Sequence, residues 1–266
     1  MILGGLAALL AGGLAAATGQ AQEEGAYLSS EEAYKKYFQY PREDVEWPHQ
    51  GMFGTYDRAQ LQRGFQVYRE VCAACHSLDY VAFRNFEEIG YSKEQVKALA
   101  AEYTITDGPD DMGEMFERPG KPSDYLPAPF PNPEAAKAAN GGAYPPNLSL
   151  IVKARPGHED YLYSLLVGYQ DPPADVEVGM GKYYNPYFKS LVISMAPPLM
   201  DDFVSYADGT PATVDQMAQD VTAFLAWAAE PKMEHRKSLG LAVLIFLGVF
   251  TTFAYFSARR IWGALK

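Results

Sequence analysis

Apolar residues recur at helical spacing in several segments of the chain. From Asp57 to about Val71, the residues Leu61, Gly64, Phe65, Tyr68, Val71 and Cys72 fall along one side. From Ser92 to Tyr103 the repeat is Val96, Leu99 and Ala100, opened by Ser92-x-x-Gln95. From Thr213 to Ala229 it is Met217, Val221, Phe224, Leu225 and Ala228, opened by Thr213-x-x-Gln216 and stopped before Pro231. Ser29 to Glu32 has capping-box spacing and predicts a further helix start. A shorter helix is expected from about Glu159 to Val167, ending at Gly168. The glycine at 64 would let its helix approach the Thr213–Ala229 helix closely, with Gly64 and Tyr68 crossing Val221, Phe224 and Leu225.

Between these helices, Thr104 to Asn147 shows no periodicity and holds nine of the chain's 19 prolines. Its apolar residues, among them Met112, Phe116, Leu126 and Phe130, predict a long ordered loop rather than disorder. Almost no sheet is expected beyond a short hairpin near 170–190. The fold class read from this pattern is all-α with long irregular loops.

The two ends break the pattern. Ser238 to Ala258 is 21 residues without a charge, flanked by Arg236-Lys237 and Arg259-Arg260. As a helix it would be about 31 Å long, close to the roughly 30 Å hydrocarbon core of a bilayer. A transmembrane anchor is expected, with a buried core helix as the alternative. Residues 2–17 are short, apolar and Gly-rich, and read as a secretory signal cleaved near Ala21, although a basic start is lacking. An N-terminal membrane helix is the alternative there. The organisation expected is a signal at 1–21, an exported domain at 22–234, an anchor at 235–260 and a cytoplasmic tail at 261–266.

Charge sharpens this division. The whole chain carries 22 Lys+Arg and 33 Asp+Glu, a net of −11. Residues 230–266 contribute six cations and two glutamates, so the first 229 residues carry a net of −15. That balance argues against nucleic acid and favours a basic soluble protein as charged partner. The acids considered for docking are Glu87, Glu88, Asp110, Asp111, Glu114 and Glu117. A chain with 48% hydrophobic and 21% charged residues is a folded one.

Both cysteines fall in Cys72-Ala73-Ala74-Cys75-His76. Cys-x-x-Cys-His is the attachment signature of c-type haem. Cysteines at i and i+3 can reach two vinyl groups of one ring, and a histidine at i+4 can offer a neutral imidazole to the iron. A thiol–disulfide centre is the competing reading, but it belongs in a βαβ pattern that is missing here. Two cysteines and four scattered histidines argue against a structural zinc site. The second axial ligand must come from elsewhere. His49, His158 and His235 are available, as are Met52, Met112, Met115, Met180, Met195, Met200 and Met217. Met195 is favoured by its Pro-stiffened loop, Met195-Ala196-Pro197-Pro198, with Met200 and Met112 next.

Longer motifs surround the haem signature. They include Arg63-Gly64-Phe65-Gln66-Val67-Tyr68, Gly113-Glu114-Met115-Phe116, Arg118-Pro119-Gly120-Lys121, Pro145-Pro146-Asn147-Leu148-Ser149, Lys153-Ala154-Arg155, Tyr183-Tyr184-Asn185-Pro186 and Trp227-Ala228-Ala229-Glu230-Pro231. With them the chain closely resembles the cytochrome c1 family, the haem subunits of ubiquinol–cytochrome c reductase (bc1) complexes, from about Trp47 to the C-terminus. The resemblance implies a cytochrome c-like haem domain with one covalently attached haem c. It implies Cys72 and Cys75 as attachment points and His76 and Met195 as metal ligands. It further implies Arg155 on a haem propionate, with Tyr161 and the Pro145–Asn147 turn, Asn147 included, near the haem. Asn147 departs from relatives that carry Asp there. The implied partners are cytochrome b, the Rieske iron–sulfur protein as electron donor, and a soluble or membrane-tethered cytochrome c as acceptor. The implied location is the bacterial inner membrane, with the haem domain in the periplasm, or the equivalent mitochondrial membrane. A membrane-anchored cytochrome of another complex is the rival within the same chemistry.

Overall fold

A computed structural model describes residues 27–264. The expected signal at 1–21 lies outside the described residues. The sequence-predicted helices are present. Helix α1 spans Ser30–Tyr37, with Ser29 as a capping box partner of Glu32. Helix α2 spans Arg58–Glu70, and the Asp57 carboxylate accepts from the N–H groups of Ala59 and Gln60. Helix α3 spans Lys93–Ala101 behind a Ser92–Gln95 capping box. Polar caps of this kind satisfy orphan N–H donors at a helix start.

Three helical pieces carry no periodic signal. A 3₁₀ segment, Phe83–Ile89, buries Phe83, Phe86 and Ile89 on the eclipsed side that three-residue spacing gives. Helix α4, Pro133–Ala139, begins on Asn132 with Pro at its first position, the place where a missing N–H costs nothing. Helix α5, Ile151–Ala154, is a single turn. Helix α6, His158–Val167, and helix α7, Val214–Ala229, complete the domain.

The expectation of almost no sheet needs correcting. Strands β1 (Thr104–Asp107) and β2 (Phe116–Pro119) pair antiparallel inside the Pro-rich stretch, with Thr104 opposite Pro119 and Asp107 opposite Phe116. The Asp110 carboxylate closes the turn by accepting from the N–H groups of Met112 and Glu114, at 2.8 and 2.9 Å. Arg118 ties the hairpin together by pairing with both Asp107 and Asp124. Four-residue strands are too short for an alternation to register in sequence. The second ladder, β3 (Tyr183–Tyr184) with β4 (Val192–Ile193), falls at the edge of the expected hairpin region.

The core forms where α2 crosses α7. A Cβ at Gly64 would lie 2.0 Å from the Asp220 carbonyl oxygen and 2.7 Å from the Phe224 Cβ, so only glycine permits this approach. The expected partner Phe224 is therefore met, the Asp220 main chain stands beside it at Gly64, and Val221 and Leu225 are buried in the same core. Around the crossing, Phe65, Tyr68, Phe86, Phe224 and Trp227 form an aromatic cluster, with the Phe65 and Phe86 rings 4.4 Å apart. Met217 is fully buried in this core. A smaller cluster of Ala33, Val176, Tyr184 and Leu191 packs α1 against the β3–β4 region.

Helix α8 runs Met233–Gly263, 31 residues or about 46 Å, and contains the expected anchor and the start of the expected tail in one piece. None of its apolar stretch is buried against the domain, which removes the alternative of a core helix. Among the described residues it is the helix long and apolar enough to cross a membrane. Its first turns are fastened to the domain. Arg58 pairs with Glu234 at 2.6 Å, Lys232 with Glu88, and Glu230 bridges Arg236 and Lys153.

Candidate haem site

Helix α2 ends at Glu70, and the chain tightens into a 3₁₀ turn over Cys72–Ala74. The N–H groups of Cys75 and His76 both donate to the Cys72 carbonyl, at 3.1 and 2.9 Å. The two cysteines form no disulfide; Cys72 is half-buried and Cys75 exposed. Burial, with Cys75 close by, pushes the Cys72 thiol up to about 12. Two free thiols are the starting material for two thioether bonds.

His76 is oriented rather than free. Its Nδ1 lies 2.8 Å from the Pro146 carbonyl oxygen. A carbonyl can only accept, so Nδ1 carries the proton and Nε2 keeps its lone pair. Burial holds the imidazole below its ordinary value, partly offset by that hydrogen bond, so the neutral form prevails at neutral pH. A carbonyl that accepts from one ring nitrogen and so fixes the tautomer is how proteins orient a metal-bound histidine.

The segment after His76 is zipped to residues 146–149. The Leu148 N–H donates to the Ser77 carbonyl at 2.9 Å. The Tyr80 N–H donates to the Ser149 hydroxyl at 3.1 Å, and Ser149 is fully buried. The Asn147 carbonyl oxygen accepts from the Ser149 N–H at 2.7 Å, while its amide donates to Asp79 at 2.5 Å. On the other side, the Tyr68 hydroxyl donates to the His76 carbonyl at 3.1 Å. Asn147 thus acts on the loop that holds His76. The Pro146 carbonyl, Tyr68, Asp79 and Ser149 complete the support. Pro146, Tyr68 and Ser149 stand in motifs already singled out and Asp79 does not, but the contacts that join them to the His76 segment are long-range and leave no spacing to read.

Helix α5 carries the chain from this turn to Arg155, which is exposed and has no side-chain partner among the described residues. Burial raises the pKa of the half-buried Tyr161, and the positive charge of Arg155 nearby opposes it. Tyr169 follows, its pKa raised by burial and by neighbouring Tyr161 and Tyr183. Its hydroxyl donates to the Met195 carbonyl at 3.1 Å. The direct contact in this region is that of Tyr169 with the Met195 loop, which the sequence did not signal.

The other candidate ligands fare differently. Met52, Met112, Met115, Met180 and Met200 are exposed, and Met217 belongs to the core. Met195 alone among those seven is half-buried with its backbone held. His49 is paired with Glu159 at 3.0 Å, the His158 ring is held by the Val152 carbonyl, and His235 lies on α8. Among the described residues no cluster of three or more His, Cys, Asp or Glu could hold a bare metal ion. The donor set of two thiols, one lone-pair imidazole and one thioether fits an iron porphyrin.

The Cytochrome C1 family model matches residues 47–265. The chain belongs to the cytochrome c1 family. It is 48% identical to cytochrome c1 of Rhodospirillum rubrum, over 97% of each chain. It is 52% identical to the mitochondrial cytochrome c1 haem protein of Saccharomyces cerevisiae, over 83% of this chain and 72% of that one. It is 53% identical to the mitochondrial cytochrome b-c1 complex catalytic subunit of Candida albicans, over 83% of this chain and 77% of that one. It is accordingly a membrane-anchored electron-transfer protein with one covalently bound haem c. The thiol–disulfide reading and the cytochrome of another complex fall away.

Proposed function

We propose that this cytochrome c1 works inside a bc1 complex, beside a cytochrome b and a Rieske iron–sulfur protein, and passes single electrons from the Rieske protein to a soluble or tethered cytochrome c. The name carried by the Candida albicans relative supports the assembly. Cys72 and Cys75 would hold the haem through thioether bonds, and His76 and Met195 would supply the ligands to its iron. When bound, the iron supplies a ferric–ferrous couple. The observation that carries this assignment is the His76–Pro146 hydrogen bond, which leaves Nε2 as a fixed neutral donor.

The chain's own residues orient, bury and charge-balance the group; no acid, base or nucleophile is required. The cytochrome c-like crossing of α2 and α7 holds the attachment segment against the aromatic core. Arg155 supplies an unpaired guanidinium for a propionate, and Tyr161 stands beside it. Asn147 positions His76 through the 146–149 turn. A cation near the haem favours the reduced state. Arg155→Leu is therefore expected to lower the midpoint potential by about 20–60 mV, from Coulomb's law at roughly 10 Å in a partly screened setting. Arg155→Lys should lose less. Potentiometric titration of the purified complex checks this, and an unmoved potential in Arg155→Leu removes the propionate assignment.

With α8 spanning the membrane, the basic Arg259-Arg260 end faces the cytoplasm or matrix, and the acidic domain faces the periplasm or its mitochondrial equivalent. Four of the six candidate docking acids, Asp110, Asp111, Glu114 and Glu117, are exposed along the β1–β2 hairpin beside exposed Met112, Met115 and Phe116. Glu88 is committed to Lys232. An acidic surface with an apolar centre suits a basic partner. Reduction of a basic cytochrome c by the complex should slow about tenfold or more between low and high salt. Stopped-flow rates that ignore ionic strength would leave the acidity without a docking role.

A further inference from the structure

One exposed apolar pair is placed by the anchor itself. Residues 47–55 form a tight turn in which the Gln50 N–H donates to the Trp47 carbonyl at 3.0 Å and the Thr55 N–H to the Pro48 carbonyl at 3.1 Å. A Cβ at Gly54 would lie 1.9 Å from the Gln50 carbonyl oxygen, so the turn closes only on glycine. Its inner side is fixed: Trp47 is buried and donates from Nε1 to Asp160 at 2.7 Å, and Tyr56 is buried as well.

Both feet of the turn meet one ammonium. Lys237 Nζ donates to the His49 carbonyl at 2.6 Å and to the Gly54 carbonyl at 3.1 Å. Lys237 is the last charged residue before the uncharged run Ser238–Ala258. A lysine at that position marks the headgroup level of the bilayer, and the turn bound to it sits at the same level. Between the two feet stand Met52, 66% exposed, and Phe53, 77% exposed. Two residues of chain reach at most about 7 Å. Apolar groups of interfacial segments lie about 5–10 Å deep.

We propose that Met52 and Phe53 enter the lipid interface beside α8, as a second point of membrane contact that fixes the tilt of the haem domain on the bilayer. Lipid is the occupant because Lys237, at the edge of the uncharged run of α8, holds the turn that carries the pair, and because Arg236 and Lys237, cations of the kind interfacial segments use, line one cleft with His49, Gln50 and Gly51 of that turn. The ion pairs that fasten α8 to the domain would transmit this contact: Arg58–Glu234, Lys232–Glu88 and Arg236–Glu230. The inference rests on α8 spanning the membrane.

A nitroxide on Phe53→Cys in the full-length, haem-loaded chain, held in phosphatidylcholine nanodiscs, tests it. Haem attachment consumes Cys72 and Cys75, so the new thiol is the one that labels. The expected result is higher relaxation by oxygen than by a water-soluble nickel chelate, as for an identical label on Phe246→Cys within α8. Water exposure at 53 with lipid exposure at 246 overturns the inference alone. Water exposure at 246 overturns the span and the inference together. In the purified complex, a benzophenone side chain at 53 should cross-link to phospholipid. Cross-linking to a neighbouring subunit instead would overturn the proposal.

Discussion

Met195→Leu should lower the haem midpoint potential by on the order of a few hundred millivolts while leaving haem attachment intact. Leucine keeps much of the volume and removes the sulfur. The thioether is a neutral, soft ligand that favours ferrous iron, and axial ligand identity moves haem potentials over about 0.8 V. The Tyr169–Met195 hydrogen bond runs to the main-chain carbonyl, so the loop should hold its course in the variant. Met200→Leu serves as the contrast, because Met200 is exposed and its side chain is free of the core. Potentiometric titration of the two purified variants decides: a drop in Met200→Leu, with none in Met195→Leu, would move the ligand.

The second large effect is expected far from the iron. Arg63 donates from Nε and Nη2 to the Asp220 carboxylate, at 2.9 and 3.2 Å, and from Nη1 to Asp208 at 2.9 Å. Asp220 is fully buried, on α7 beside the point where Gly64 lets the helices touch. Burial alone would lower the Arg63 pKa, but the hydrogen bond and charge of Asp220 outweigh it and hold the guanidinium above its ordinary range. Arg63→Met leaves a buried carboxylate with no cationic partner among the described residues, only the neutral Gln216 amide and the nearby Tyr206 hydroxyl. Breaking one half of a buried pair costs about 3–5 kcal/mol. For a chain of this size that lowers the thermal midpoint by on the order of 10 °C. Asp220→Asn added to Arg63→Met should restore most of the loss, because the amide needs no counter-charge. Thermal melts of the haem-loaded chain followed by helical signal would show this, and a double variant no better than the single one would exclude the buried-charge explanation.

These residues also mark how far sequence reading reaches. The capping boxes at Ser29 and Ser92, the apolar stripes of α2 and α7, the anchor and Cys72-x-x-Cys75-His76 all rest on contacts within a few residues, which spacing records. Gly64 was legible as a close-approach point because a missing side chain in an apolar stripe has few other uses. The β1–β2 hairpin was not legible, since its four-residue strands are too short to show alternation and the ion pairs of Arg118 with Asp107 and Asp124 follow no strand pattern. The choice among the methionines could not be closed by spacing, as burial separates them and burial is a property of the whole packing.

Spacing and composition alone establish that one haem would be attached after α2, that a helix long and apolar enough to cross a membrane follows the haem domain, and that this domain is acidic. Those are statements about neighbours along the chain and about summed charge. The tertiary structure decided which nitrogen of His76 is free, through a carbonyl 70 residues away. It also decided that Arg155 is unpaired, and that the turn at 49–54 is clasped by Lys237, 188 residues from His49. Each of these depends on groups brought together only when the core closes, so no local pattern can encode them.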